Sequence, residues 1–229
     1  MWGAKTMFDI QCLHRARERL VKSRTALSNE IRGLLNEYGI IFPKNISRLE
    51  LLLSEFLQQD NQLTSMARSL FKDLFDELKS LSGKIKQYNQ KIESICKSHP
   101  VCRRISTVPG VGPITATAMV AAISDPYVFK NGRQVSAWLG LVPRQSSSGG
   151  KDRLLGISKR GDNYLRKILI HGGRSCVLQA KREENKRNNW INKLVERRGA
   201  NRAAVAVANK NARIIWALIA KEEEFKLEI

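Results

Sequence analysis

Hydrophobic residues recur at heptad spacing in two long stretches, the pattern of helices that pack along a seam. In the first stretch, from Ile10 to about Tyr38, they are Ile10, Leu13, Leu20, Leu27, Ile31 and Leu34. In the second, which Pro100 ends, they are Phe71, Leu74, Leu78, Leu81, Ile85, Tyr88, Ile92 and Ile95. A shorter helix is predicted between them, at residues 46–63. Two long helices joined by a turn predict an antiparallel coiled-coil arm.

Two roles fit such an arm. Packing of the two long helices alone would leave Phe56, Leu63 and Phe71 on the surface, and apolar surface of this kind favours a second copy of the chain as partner. The alternative is an arm that buries only its own seam. We expect a homo-oligomer held together through the coiled coil.

Shorter helical patterns follow Pro100. They predict an Ala-rich helix at 115–123, a short buried helix at 135–141 around Trp138, a helix from Asn163 to about Lys181 that Asp162 caps, a short helix ending at Gly199, and a last helix at 202–221. On the helix after Asp162, the residues expected to face the core are Leu165, Ile168, Leu169 and Leu178. No segment has the alternation of a strand.

The predicted fold class is therefore all-α: a long antiparallel coiled-coil arm followed by a compact helical domain. We expect four parts, which are an unrecognised leader at 1–9, the coiled-coil helical arm at 10–99, the compact domain at 100–221 and an acidic tail at 222–229.

Charge points to a polyanionic partner, because the formal net charge is +19. Residues 101–229 carry 24 Lys and Arg against 10 Asp and Glu, whereas residues 1–100 carry 16 against 11, which assigns the partner mainly to the second half. A membrane surface is the competing partner, but no run of 18 apolar residues and no signal peptide is present. We expect a cytoplasmic protein that binds nucleic acid and no membrane.

A glycine hairpin opens the compact domain. Gly110 and Gly112 stand two residues apart before Pro113, which allows a tight turn and then a helix start whose free N–H groups face an anion. This is the form of a helix-hairpin-helix motif, in which Gly110 and Gly112 would donate backbone N–H groups to a phosphate. An ordinary turn between two core helices has the same short pattern.

A serine-rich loop lies further along, at residues 146–150. A serine hydroxyl in a glycine-flanked loop can attack phosphorus where cations stabilise the developing charge. The cations nearest in sequence are Arg144, Lys151, Arg153, Lys159 and Arg160, and the helix that follows adds Arg166 and Lys167. The alternative is a flexible Ser/Gly linker without chemistry.

Four cysteines in a cytosolic protein are expected to be free thiols. Cys96, His99 and Cys102 have a spacing that resembles a set of metal ligands, which Cys12 and His14 could complete. Pro100 lies between the ligands, however, and the spacing fits no standard zinc finger. We therefore expect no bound metal.

The motifs of residues 107–169 carry a family resemblance. They are VPGVGP, AWLGLVPRQSSSGGK and GISKRGDNYLRKIL. In them the chain resembles the C-terminal transposase domain of the Piv-type invertase and bridge-RNA-guided insertion-sequence transposase family, and the likeness extends from about Gln11 to about Trp216. The compact domain at 100–221 would then be the helical transposase domain.

The resemblance implies recombination of DNA by a serine nucleophile that forms a covalent link to a phosphate. Matching the Ser-Gly of the family motif places the nucleophile at Ser148, with Ser147 second because the serine triplet leaves the register open. A structured guide RNA would choose target and donor DNA.

The family's other catalytic half is an N-terminal RuvC-like domain in which four acidic residues hold Mg²⁺. Before the first family segment this sequence has Asp9 as its only carboxylate, so a truncated chain is expected, one that binds DNA without competent strand exchange and holds no Mg²⁺ itself. Two alternatives stay open: a non-catalytic helix-hairpin-helix module for DNA or RNA, and a structural remnant of a decayed element.

Overall fold

The computed structural model describes residues 2–59, 63–146, 154–221 and 223–225. Its helices are α1 (Ala4–Glu37), α2 (Ile46–Gln58), α3 (Ser65–Ser98), α4 (Pro100–Ser106), α5 (Pro113–Ala122), α6 (Gly132–Trp138), α7 (Asn163–Gln179), α8 (Lys186–Arg198) and α9 (Ala200–Ala220). Two short strands, β1 (Pro143–Gln145) and β2 (Leu154–Ile157), form an antiparallel pair. The predominantly helical architecture confirms the helical part of the prediction, whereas the expectation of no strands is wrong.

The chain forms two compact units, which are described separately. The first unit comprises residues 12–91, and the second comprises residues 1–11 together with 92–229. Helix α1 begins at Ala4, six residues before the predicted start, so most of the expected leader is helical.

The first unit contains three helices around one core. Arg17 on α1 donates to Asn89 on α3, and Tyr38 meets the Phe71 ring edge-on at a centroid distance of 6.0 Å, so α1 and α3 run antiparallel within the unit. Leu49 and Leu53 of α2 are buried in the core that these helices share. Antiparallel packing agrees with the sequence, while the coiled-coil geometry stays a prediction.

Helix α1 ends in a glycine cap. Gly39 has φ +74°, and its N–H donates to the Asn36 carbonyl, while the Ile40 N–H donates to the Leu35 carbonyl. These two bonds are the Schellman pattern, which satisfies the last carbonyls of a helix and requires a left-handed residue, usually glycine. The sequence located this end correctly because Gly39 interrupts the hydrophobic pattern.

The burial of several residues in the first unit differs from the prediction. Leu34, expected on the seam, is exposed, and Leu35 beside it is fully buried. Phe71 and Leu63, expected on the surface, are buried, and Phe56 packs against the same core. The reason is α2, which covers the surface that two helices alone would expose, so these residues no longer argue for an oligomer.

His14 makes the first unit sensitive to pH. The side chain is almost fully buried on α1, and burial together with the nearby positive charge of Arg17 lowers the pKa of His14 to about 4. The unfolded chain, with a pKa near 6.5, binds the proton more tightly, so stability is lost as pH falls below about 6.5. Between pH 6.5 and 5 we expect the free energy of unfolding to fall by about 1.5 kcal/mol.

Urea unfolding at the two pH values measures this loss. His14→Gln is expected to flatten the pH dependence over this range. His171→Gln, a change of an exposed histidine on α7, is the matched control and should leave the slope as in the parent protein. An unchanged slope in His14→Gln would contradict the assignment.

Helix α9 is the central element of the second unit. It contacts α4, α6, α7 and α8, and its buried residues include Val207, Asn211 and Ile215. Small residues allow close approach: an added Cβ at Gly173 of α7 would lie 2.2 Å from the Ala204 carbonyl oxygen of α9. The core therefore assembles around a helix whose packing face is made largely of alanine.

Helix α9 is long and apolar enough, by length and composition, to cross a membrane. Half of its most apolar window is buried inside the unit. A core helix of a folded domain passes the same test, so this feature is weak evidence for a membrane span.

Two predicted core positions of the second unit are wrong. Trp138, expected at the centre of a buried helix, is exposed, and Val135 and Leu139 are buried in its place. Leu178, expected to face inward, is 77% exposed near the end of α7. Helices α5 to α9 lie close to the predicted positions, whereas α4 was not predicted. Asp162 accepts hydrogen bonds from the first turn of α7 as predicted.

Candidate nucleic-acid interface

The two strands flank the serine-rich segment. Pro143 pairs with Ile157 and Gln145 with Leu154, so the chain between Gln145 and Leu154 connects the strands of a hairpin. Ser147 and Ser148, together with Lys151 and Arg153, lie outside the described residues. The strands were missed in the sequence because three and four residues are too few to show alternation.

Backbone contacts fix the base of this hairpin. The Ser158 N–H donates to the Val142 carbonyl at 2.8 Å, and the Lys159 N–H donates to the Gly140 carbonyl at 3.2 Å. Lys159 has φ +56°, a left-handed conformation that a residue with a Cβ rarely adopts. An added Cβ at Gly161 would lie 1.9 Å from the Trp138 carbonyl oxygen, so glycine is required there.

Arg166 is buried next to the base of this hairpin. Its guanidinium donates to the Leu139 carbonyl at 3.0 Å and to the Arg160 carbonyl at 2.7 Å, and it also donates to Asn163. It therefore joins the segment after α6 to the segment before α7. The sequence predicted a phosphate contact for Arg166; the structure instead places its guanidinium on carbonyls of the protein.

Four other predicted phosphate contacts have exposed side chains. They are Arg144 on β1, Lys159 and Arg160 after β2, and Lys167 on α7. The Lys167 ammonium lies 5.5 Å from the centroid of the Tyr164 ring. Arg144, Lys159 and Arg160 thus stand at the base of the hairpin whose connection contains the serines.

The glycine hairpin joins α4 to α5 through residues 107–112. Gly110 has φ +83°, and an added Cβ would lie 2.6 Å from the Gly172 carbonyl oxygen and 2.7 Å from the Cys176 sulfur. Gly110 therefore serves the packing of the hairpin on α7. Gly112, by contrast, is exposed at the start of α5, with no heavy atom near an added Cβ.

Arg187 and Asn211 form a buried polar cluster that bonds to the backbone of the glycine hairpin. The Pro109 carbonyl accepts from the Asn211 amide at 2.9 Å and from Arg187 at 3.4 Å, and Arg187 also donates to the Asn211 side-chain oxygen at 2.6 Å. Burial raises the pKa of Cys176, against a lowering effect of Arg187. Arg187 lies in a sequence segment rich in charged residues, where exposure is expected, so no sequence pattern indicated this role.

A wide groove of about 1660 Å³ lies along α9, and we term it the basic groove. Residues of α6, α8, α9 and both strands line it. Its cations are Arg133, Arg197, Arg198, Arg202, Lys210, Arg213 and Lys221, and no Asp or Glu is among its lining residues in the described part of the chain. No nucleic-acid contact was predicted at these residues, although the density of Lys and Arg along α8 and α9 was a usable signal.

Cys96, His99 and Cys102 are engaged within the protein. The His99 Nδ1 accepts from the Cys102 N–H at the start of α4, and the Cys96 sulfur contacts the Ser106 hydroxyl at 3.3 Å. Hydrogen bonds from Cys102 and Ser106 lower the pKa of Cys96 to about 6 against the opposing effect of burial, and the pKa of Cys102 is raised by its bond to Cys96 and by burial.

Within the described ranges, no group of three His, Cys, Asp or Glu side chains is arranged to hold a metal ion.

Residues 102–188 match the model of the family described as transposase IS116/IS110/IS902. We term these residues the transposase domain, by their similarity to that family. The match begins within α4 and ends within α8, so the transposase domain contains the glycine hairpin, both strands and the serine-rich segment, whereas most of the basic groove lies beyond it.

Several curated transposases resemble nearly the whole chain. The transposase for insertion sequence element IS1111A of Coxiella burnetii is 45% identical over 219 residues, which are 95% of this chain and 60% of that protein. A probable family 20 transposase of Pseudomonas aeruginosa is 44% identical over 93% of this chain and 64% of that protein. A putative transposase of Sinorhizobium fredii is 37% identical over 92% and 54%. The chain thus spans between about half and two thirds of the length of these relatives, and the similarity continues well beyond the transposase domain.

Proposed function

We propose that this chain is the DNA-binding and strand-transfer part of an insertion-sequence transposase, with Ser148 as the nucleophile and Ser147 as the second candidate. The observation that carries the proposal is the hairpin within the transposase domain. Its connection contains the serines, and exposed Arg144, Lys159 and Arg160 stand at its base.

The positions of these cations suit phosphoryl transfer. A phosphate under attack gains negative charge in the transition state, and preorganised cations beside it lower the barrier. Arg166 fixes the backbone of Arg160 through a 2.7 Å hydrogen bond, so the segment that presents Lys159 and Arg160 is held in place before DNA arrives. Gly112, at the exposed start of α5, would donate its backbone N–H to a neighbouring phosphate if the hairpin is a helix-hairpin-helix motif.

The proposed step is a transesterification. The serine Oγ bonds to phosphorus, one bridging P–O bond breaks, and the released deoxyribose oxygen takes up a proton while the serine proton passes to solvent. The number of phosphate ester bonds stays constant, so the step needs no external energy source. Reversal with a different DNA hydroxyl then joins new partners.

The remaining partners are proposals from the family resemblance. They are a structured guide RNA, a second copy of the chain bound through the arm, and an acidic domain that binds Mg²⁺ and acts together with these residues, all in the bacterial cytoplasm. The charge surplus of the second half supports a nucleic-acid partner.

A trapping experiment tests the nucleophile. The chain, with the acidic domain of a related transposase supplied in trans and Mg²⁺ present, is mixed with labelled DNA that flanks its coding sequence. A protein–DNA complex that survives detergent and is removed by protease reports the covalent link. We expect Ser148→Ala to abolish this complex while DNA binding, measured by fluorescence anisotropy, stays within about twofold, because a hydroxyl contributes little to a largely ionic interface.

Ser146→Ala is the matched control and should retain the complex. Loss in Ser147→Ala instead of Ser148→Ala would move the nucleophile by one residue. Retention in all three variants would refute a nucleophile in this triplet. Binding of DNA without any covalent complex in the parent protein would favour the alternative, a non-catalytic helix-hairpin-helix module.

A further inference from the structure

The basic groove has a charge pattern that demands an anionic occupant. All seven of its cations are exposed, and none has a carboxylate partner among the residues that the structure describes. Seven like charges around one groove repel each other, a cost that an anion along the groove relieves. The groove follows α9 from Asn201 to Lys221, about 30 Å of helix. A linear polyanion fits this shape better than a small anion does.

The groove also has large apolar lining residues, which we term its apolar floor. They include Trp190, Leu194, Trp216 and Leu155. A DNA duplex presents phosphates outward and keeps its base faces stacked inside, so it would leave such a floor unused. An unpaired strand exposes base faces, which stack on aromatic side chains. The combination of a cationic rim and an apolar floor therefore selects a single strand.

The two tryptophans are positioned before any ligand binds. The Trp216 indole N–H donates to the Pro126 carbonyl at 2.9 Å, which fixes its ring. The Lys210 ammonium lies 4.7 Å from the centroid of the Trp190 ring. A phosphate that binds Lys210 would therefore lie next to the Trp190 ring, within reach of its attached base.

We propose that the basic groove binds one unpaired DNA strand, with bases on the apolar floor and phosphates on the cationic rim. The choice of DNA rests on the proposed function, because Pro143 of β1 and Leu155, Gly156 and Ile157 of β2 line the groove. These strands flank the serine-bearing connection, so a DNA strand attacked there continues along the groove. The groove thus retains the strand that cleavage releases from its duplex.

Fluorescence anisotropy with labelled oligonucleotides of about 12 nucleotides tests the proposal. The probes are single-stranded DNA, single-stranded RNA of the same sequence, and the DNA duplex. The triple variant Arg197→Gln, Arg202→Gln and Arg213→Gln is expected to bind single-stranded DNA at least about tenfold more weakly. The slope of log Kd against the logarithm of the salt concentration should decrease by about 2, since each lost phosphate contact lowers this slope by about 0.7.

The matched control removes three exposed cations that lie outside the groove: Arg174→Gln, Lys181→Gln and Arg182→Gln. It has the same net charge as the groove variant, and we expect it to weaken single-strand binding by less than about threefold. Equal losses in the two triple variants would show that net charge alone drives binding and would overturn the proposal.

The apolar floor has its own test. Trp190→Leu should weaken single-strand binding about tenfold, and Trp190→Phe, which keeps an aromatic face, should stay within about threefold. Thermal melting checks that both variants are folded. Duplex affinity should be the same in all three proteins, and an equal loss for single strand and duplex would refute stacking on Trp190.

Two further outcomes bear on the choice of occupant. Tighter binding of the duplex than of the single strand, or a preference of more than about tenfold for RNA, would overturn the assignment to unpaired DNA. Ser148→Ala should bind the single strand as the parent protein does. Failure of the serine chemistry and failure of the groove are therefore separable results.

Discussion

Gly172→Ala is expected to destabilise the second unit by about 3 to 5 kcal/mol, which leaves little of the stability of a typical domain. The added Cβ would lie 1.9 Å from the Gly110 carbonyl oxygen and 2.9 Å from the Gly110 carbonyl carbon. Both are backbone atoms, so the clash is relieved only if α7 and the hairpin separate. The better helix propensity of alanine offsets about 1 kcal/mol and does not change the sign.

Chemical denaturation followed by circular dichroism measures this loss. Gly156→Ala is the control, because no heavy atom lies within 4 Å of an added Cβ there, and its stability should stay within about 1 kcal/mol of the parent protein. A Gly172→Ala protein as stable as the control would mean that the close backbone approach is not required.

Arg166→Leu has the second largest expected effect, a loss of about 2 to 4 kcal/mol. The Leu139 carbonyl would lose its donor in a buried place, and the Arg160 carbonyl and the Asn163 side chain would lose theirs in partly buried ones. Arg166→Lys keeps the charge but offers one ammonium in place of a planar fork, so we expect a loss between those of the leucine variant and the parent protein.

Lys167→Met, a change of the exposed neighbour on α7, is the matched control and should shift stability by less than about 0.5 kcal/mol. The Arg166→Lys variant also separates the two roles considered for Arg166, a phosphate contact and a structural contact. A phosphate contact predicts weaker DNA binding by Arg166→Lys at unchanged stability. The buried position of Arg166 predicts the reverse: Arg166→Lys should lose stability, while the folded variant should bind DNA as the parent protein does.

The sequence predicts elements well where one residue decides a boundary. Gly39 ends α1 because it alone tolerates the left-handed turn, and Asp162 starts α7 because its carboxylate accepts the first free N–H groups. Which side of a helix is buried is harder to predict, since neighbouring helices decide it. Leu35 is buried in place of Leu34, and Phe71 is covered, because α2 packs on the two long helices. The heptad pattern of α1 and α3 does not show where α2 will pack.

The candidate site was predicted only in part, for an electrostatic reason. A lysine or arginine in the sequence is assigned to the surface by default, because burial of an unpaired charge is costly. Arg166 and Arg187 avoid that cost by donating to backbone carbonyls of residues distant in sequence, which no local pattern reveals. The basic groove was missed for the opposite reason, since its cations belong to separate elements that meet only in the folded chain.

The position of α9 in chain order has a consequence for synthesis. This helix provides the surface on which α4, α6, α7 and α8 pack, yet the ribosome makes it after all of them. Until it emerges, the faces of these four helices that pack on α9 have no partner, so we expect the second unit to complete its core only after synthesis of α9. Completion of the core, and with it assembly of the groove, is therefore a late event that follows translation of residue 220.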